Sequence, residues 1–115
     1  MAASKNPRAR LLHIRDEIEG ISAALQGIEF NQFRASYTLR RTTERALQII
    51  SEAAKSLPAD YHARHPEASW NAIVALGNVL RHEYQRVEDG LLWEIATVHL
   101  PKLRPIIDQL LREQE

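Results

Sequence analysis

The run Trp70-Asn71-Ala72-Ile73-Val74-Ala75-Leu76-Gly77-Asn78-Val79-Leu80-Arg81-His82-Glu83-Tyr84 decides the fold class of this chain. A helix turns about 100° per residue, so Trp70, Ile73, Gly77, Leu80 and Tyr84, spaced by threes and fours, share one face. The spacing predicts a helix from Trp70 to about Val87 that buries this stripe, with Ser69 as its N-cap and Glu88-Asp89-Gly90 as its stop. His82 lies about 140° round the axis from Gly77, on the side of Asn71, Asn78 and Gln85, and is expected in solvent. A helical glycine costs roughly 1 kcal/mol against alanine, so something is expected to pack closely over Gly77.

The same periodicity extends in both directions. Leu11, Ile14, Ile18, Ile21, Leu25 and Ile28 form one apolar seam, which predicts a first helix with Pro7 in its first turn and Met1 to Asn6 frayed. A second helix is expected from about Asn31 to Leu57, ended by Pro58, with Leu39, Ala46, Leu47, Ile50, Ala53 and Leu57 inward. On it Arg34, Arg41 and Arg45 fall within about 40° of one another, beside Phe30, Phe33 and Tyr37. Two readings stand: a solvated face whose aromatics pack inward, or a basic strip whose aromatics stack single-stranded bases while its arginines hold phosphates. Past Gly90, Leu91, Ile95 and Val98 form a stripe beside Trp93. Pro101 and Pro105 predict a kink or fresh start before a last helix carrying Leu103, Ile106, Ile107, Leu110 and Leu111. No stretch alternates apolar and polar residues as a strand would. The expected fold is all-α, an antiparallel bundle of four to five helices, in a single domain spanning residues 1–115.

Composition narrows the function. With 44% hydrophobic and 26% charged residues the chain is globular rather than disordered. Lysine plus arginine equals aspartate plus glutamate at 15 each, so any contact with RNA must come from a local patch. The absence of cysteine excludes disulfides, thiolate metal sites and a cysteine nucleophile. No apolar run precedes Leu11 and none reaches the length of a membrane span, which predicts a cytoplasmic protein without a membrane partner. His62 and His65 are three apart but lack a third ligand at diagnostic spacing, so no metal and no cofactor are expected.

The candidate chemistry sits at the end of the central helix. An imidazole such as that of His82 can take a proton from a ribose 2′-hydroxyl or return one to a leaving 5′-oxygen. A guanidinium such as that of Arg81 can stabilise charge on the phosphate. Together these suffice for metal-free RNA cleavage, because RNA supplies its own nucleophile. Consecutive residues lie about 100° apart on a helix and do not converge on one phosphate, which makes a second subunit a chemical expectation. From spacing alone His82 reads equally as a surface residue, and Tyr84 as a core tyrosine with a satisfied hydroxyl.

Four stretches carry a family resemblance: Leu47-Gln48-Ile49-Ile50-Ser51-Glu52-Ala53-Ala54-Lys55 with Arg45 just before it; His65-Pro66-Glu67-Ala68-Ser69-Trp70; Asn78-Val79-Leu80-Arg81-His82-Glu83-Tyr84; and Leu92-Trp93-Glu94 leading to Leu100-Pro101. With them the chain resembles the HepT-like toxins, minimal members of the HEPN superfamily, from the first helix to the last. The resemblance implies a helical homodimer. It also implies an endoribonuclease in a two-gene toxin–antitoxin module, paired with a minimal nucleotidyltransferase as antitoxin. The family motif is arginine, four residues, histidine, one residue, tyrosine. Its histidine maps to His82 and its tyrosine to Tyr84, the residue whose adenylylation silences the toxin and whose hydroxyl is therefore expected to be exposed despite its place on the stripe; its arginine maps to Gly77, where the match fails. Helical side chains lean towards the N-terminus, so Arg81 is expected to reach back over Gly77 and stand in for the missing arginine. Without that compensation the chain is a non-catalytic helical dimer that binds the nucleotidyltransferase. Arg45 matches a recurrent family arginine and is a candidate for phosphate contact, beside Arg41; an ion pair of Arg45 with Glu52 or Glu94 is the alternative. Asn78 could orient the His82 imidazole or face water.

Overall fold

A computed structural model describes residues 6–114. The expected fraying covers Met1 to Asn6, and residues 1–5 lie outside the described residues. The structured chain opens with α1, Pro7–Leu25, where the Asn6 side chain accepts a hydrogen bond from the Ala9 amide at 3.2 Å and satisfies one orphan donor of the first turn. Leu11, Ile14, Ile18, Ile21 and Leu25 are buried, as the seam requires, and each contributes about 1.5–3 kcal/mol relative to exposure. Gly27 then takes a positive φ of 76° and turns the chain.

The expected second helix is two helices. α2, Phe30–Ala35, and α3, Tyr37–Lys55, are separated by Ser36, whose extended backbone breaks the ladder while its hydroxyl accepts from the Leu39 amide at 3.0 Å. Apolar periodicity runs through this break because both helices face the same core, which is why a single helix was the simpler expectation. Beyond α3 the short α4, Ala59–Arg64, and a 3-10 turn, Pro66–Ala68, lead to α5, Trp70–His82. Ser69 precedes α5 as expected, but it adopts φ 56° and makes no side-chain cap.

α5 also stops earlier than its periodicity suggests. Glu83 leaves helical geometry at φ −145°, ψ 45°, and Tyr84–Arg86 form a separate 3-10 turn. Trp70, Gly77 and Leu80 of the stripe are buried, Ile73 is half-buried and Tyr84 is exposed. After α6, Asp89–Glu94, the chain makes no fresh start but passes through a π-helical turn, Ile95–His99, into α7, Leu100–Arg112. Pro101 lacks an amide donor and its ring crowds the carbonyl of Thr97. The wider turn accommodates this, with Leu100 N–H donating to the Ile95 carbonyl.

Among the described residues there is no strand, and four longer helices, α1, α3, α5 and α7, make an all-α bundle. α1 packs on α3 and α7, whereas α5 packs chiefly on α3. Leu11, Ile14, Ile50, Leu92, Ile107 and Leu110 are essentially inaccessible at the centre. Phe33 joins them, and Phe30 and Phe33 both meet Trp93, with ring centroids at 5.9 and 5.4 Å. These two aromatics therefore belong to the core, in line with the first of the two readings. No helix among the described residues is long and apolar enough to cross a membrane.

Candidate active site

The α3–α5 contact positions the site, and its tightest point is Gly77. Ser51 lies against it: a Cβ built at Gly77 would sit 1.9 Å from Ser51 Oγ and 2.4 Å from Ser51 Cβ. The Ser51 hydroxyl donates to the Val74 carbonyl at 3.2 Å, fixing the serine in that gap. The close neighbour expected over Gly77 is thus Ser51 of α3. The space left by the missing Cβ, expected for Arg81, is occupied by this hydroxymethyl group.

Arg81 reaches back one turn to Asn78 and across to α3, without entering that gap. Its Nη1 donates to Glu52 Oε2 at 2.6 Å and its Nη2 to Asn78 Oδ1 at 2.7 Å. Glu52 follows Ser51 in the chain, so the residue that closes over Gly77 also delivers the carboxylate that holds the guanidinium. The hydrogen bond from Arg81 keeps the Glu52 carboxyl below its ordinary value, against the smaller opposing effect of burial. Asn78 bonds the Arg81 guanidinium and not the His82 ring. Glu94 pairs with His99 at 3.2 Å, so neither carboxylate considered for Arg45 is its partner, and Arg45 stays exposed.

His82 is the last residue of α5 and is exposed. Two residues on, Tyr84 is 55% exposed, because the chain has left the helix and carried the ring off the apolar stripe. The Arg41 guanidinium from α3 meets this ring with Cζ 5.7 Å from its centroid, and lies 5.2 Å from the centroid of Tyr37. Arg41 also forms a two-pronged hydrogen bond to Glu44 at 2.8 and 2.9 Å. That bond first, and hydrogen bonding to Tyr37 second, stabilise its charged form. The cluster of Tyr37, Arg41 and Tyr84 joins the start of α3 to the end of α5. Periodicity alone puts Tyr84 on the buried stripe, whereas the exposure expected of a modifiable tyrosine is what the structure has; the grouping with Tyr37 and Arg41 was not legible in the spacing.

The two loop histidines have separate duties. His62 stacks on Trp70 at 4.7 Å and its Nε2 contacts the Ala54 carbonyl at 2.9 Å, while His65 lies beside Glu67 and Glu113. Among the described residues no group of three or more His, Cys, Asp or Glu is arranged to hold a metal ion.

An apolar groove of about 500 Å³ runs along the flank of α5 not covered by α3, lined by Ile73, Leu76, Val79, Ile95, Leu103 and Ile106 among others. Leu91, at 47% exposure, adds to the apolar surface there.

Comparison with known proteins shows the family of the chain. The family model "Ribonuclease HepT-like" matches residues 14–110, and the chain belongs to the HepT-like ribonuclease family. Among its relatives, a protein named "Putative RNase" from Caldanaerobacter subterraneus subsp. tengcongensis is 32% identical, over 96% of this chain and 99% of its own. The "Probable ribonuclease HepT" of Thermococcus cleftensis is 30% identical over 84% of this chain and 94% of its own. A "Putative RNase" of Methanocaldococcus jannaschii is 27% identical over 92% and 97% respectively. No solved structure matches the chain at comparable significance.

Proposed function

We propose that this protein is a metal-independent endoribonuclease, the toxin of a toxin–antitoxin module, acting through His82 in a homodimer and silenced by adenylylation of Tyr84. The observation that carries this reading is the pairing of an exposed His82 with an exposed Tyr84 at the end of α5, in a chain of the HepT-like ribonuclease family. In the proposed reaction the ribose 2′-oxygen attacks the adjacent phosphorus as its proton passes to an imidazole. The bond to the 5′-oxygen breaks, that oxygen takes up a proton, and a 2′,3′-cyclic phosphate remains.

Charge on the phosphate is the task of Arg81. To serve it, the guanidinium exchanges Glu52 for the substrate, a small cost because exposed ion pairs contribute at most about 1 kcal/mol. Arg45, exposed and unpaired with Glu52 or Glu94, is the second phosphate ligand. The apolar groove beside α5 supports the homodimer, which brings a second His82 and Arg81 to the substrate. A nucleotidyltransferase antitoxin would act on Tyr84, adding a bulky anion next to Arg41 and repelling RNA.

One observation favours a second reading. The place of the motif arginine is a glycine sealed beneath Ser51, so no cation can occupy it without moving α3 from α5. On that reading the chain is a non-catalytic dimer that binds the nucleotidyltransferase. Cleavage of mixed RNA in EDTA separates the two. The first reading expects His82→Ala to lose about 10²–10⁴-fold in rate, with a loss also in Arg81→Ala. No cleavage by wild type at any protein concentration selects the second.

A further inference from the structure

We propose that Tyr37, Arg41 and Tyr84 form a stacking cradle for one unpaired base of a single-stranded RNA, next to the cleavage site. This inference rests on the RNA-directed reading above and specifies which form of RNA the site takes. Tyr37 is 66% exposed and Tyr84 55% exposed, the two most open large side chains of apolar character among the described residues. Neither is needed by the core: Phe30 and Phe33, their neighbours in sequence or charge pattern, pack on Trp93 instead. Tyr37 and Arg41 are one turn apart on α3 and so share a face, and the early end of α5 brings Tyr84 to the same guanidinium.

The grouping suits a nucleobase in three ways. Two exposed rings, each with the Arg41 Cζ within 5.2 or 5.7 Å of its centroid, give aromatic faces beside a cation on which a base can lie, because every base has a π-face. Glu44 accepts from Arg41 Nη1 through both carboxylate oxygens, which tethers the guanidinium beside the rings before the ligand arrives. Of the carboxylates on the adjoining elements, Glu44 is engaged by Arg41, Glu83 by Arg86 and Asp89 by Arg40 at 3.9 Å, while Arg45 is exposed one turn further along α3. A backbone phosphate can therefore approach next to the stacked base. A duplex cannot use the cradle, since its bases are already stacked on one another.

The test uses the intact wild-type chain and a short single-stranded 2′-O-methyl RNA, which lacks the attacking hydroxyl, carrying 2-aminopurine. Binding is expected to change the 2-aminopurine fluorescence, and Tyr37→Ala is expected to weaken affinity about 5- to 150-fold and to remove that change. Its thermal midpoint and salt dependence should stay as in wild type, because Tyr37 is exposed and touches no phosphate. Tyr37→Trp should retain affinity, and Arg41→Lys, which keeps the charge and loses the plane, should lose it. Equal affinity and equal fluorescence response in Tyr37→Ala overturn the cradle, and leave the aromatic pair as a contact for a protein partner. If that variant binds normally while wild type cleaves RNA, the ribonuclease reading stands and only the cradle falls. If wild type binds with the expected Tyr37 dependence but cleaves nothing, the cradle stands and catalysis falls. No binding of RNA by wild type overturns both.

Discussion

α1 and α5 read alike in sequence, each an apolar stripe at helical spacing, yet they are covered very differently. α1 has α3 on one side and α7 on the other, and five of its residues are buried. α5 packs chiefly on α3, buries Trp70, Gly77 and Leu80, and leaves Ile73, Leu76 and Val79 along an open groove. A stripe of apolar residues states that something will cover it, and not whether the cover lies in the same chain. An uncovered flank beside the candidate site is what a second subunit would use, whereas the core flank serves stability alone.

The sharpest way to break this comparison is to damage both sides equally. Leu110→Ala, in the core that α1 and α7 share, is expected to cost about 2–5 kcal/mol in denaturant unfolding. Ile73→Asp, on the open flank, should leave the chain folded and convert a dimer to a monomer in sedimentation velocity. A variant that stays dimeric at all concentrations would detach the groove from assembly.

A smaller effect is expected where α5 does meet its partner. Gly77→Ala gains roughly 1 kcal/mol of helix propensity, but its Cβ would lie 2.4 Å from Ser51 Cβ, an atom no rotation can move away. The helices must part, and overpacking of this kind costs about 1–3 kcal/mol. Ser51→Gly in the same chain should recover most of the loss in thermal unfolding, and failure to recover would place the strain elsewhere.

The smallest effect belongs to the ion pair at the rim of that contact. Glu52 titrates below its ordinary 4.5 because Arg81 donates to it, so the unfolded chain takes up the proton first as pH falls. The stabilisation is fully present above about pH 4.5 and is lost as pH drops through the lower folded-state value. At 57% side-chain exposure it amounts to no more than about 1 kcal/mol. Stability curves of wild type and Glu52→Gln should differ slightly near neutrality and converge in acid; curves already superimposed at pH 7 would show that Arg81 is held by Asn78 alone.

Much of the bundle was legible in the residues. The seam from Leu11 to Leu25, the long inward face of α3 and the amphipathic α7 all follow from spacing, because most of each apolar face is buried within the chain. Gly77 announced a close approach for the same reason: its cost in a helix demands compensation. What spacing could not register were local interruptions. A serine that caps mid-pattern divided α2 from α3, and a proline was absorbed by a π turn without ending the helix.

The candidate site was legible as a set of residues and not as an arrangement. The sequence by itself determined the all-helical class, the buried stripes, the lack of cysteine chemistry and the identity of His82, Arg81 and Tyr84 as the groups to watch, since these depend on residue type and on separations within a turn or two. Only the tertiary structure decided that Ser51 fills the gap at Gly77, that Glu52 and Asn78 hold Arg81, and that Arg41 stands between Tyr37 and Tyr84. Those contacts join residues 26 or more positions apart in all but two of the pairs, the short-range ones being Asn78 with Arg81 and Tyr37 with Arg41. They depend on where α5 ends and how closely it lies on α3, quantities set by packing between helices and not by the period within one.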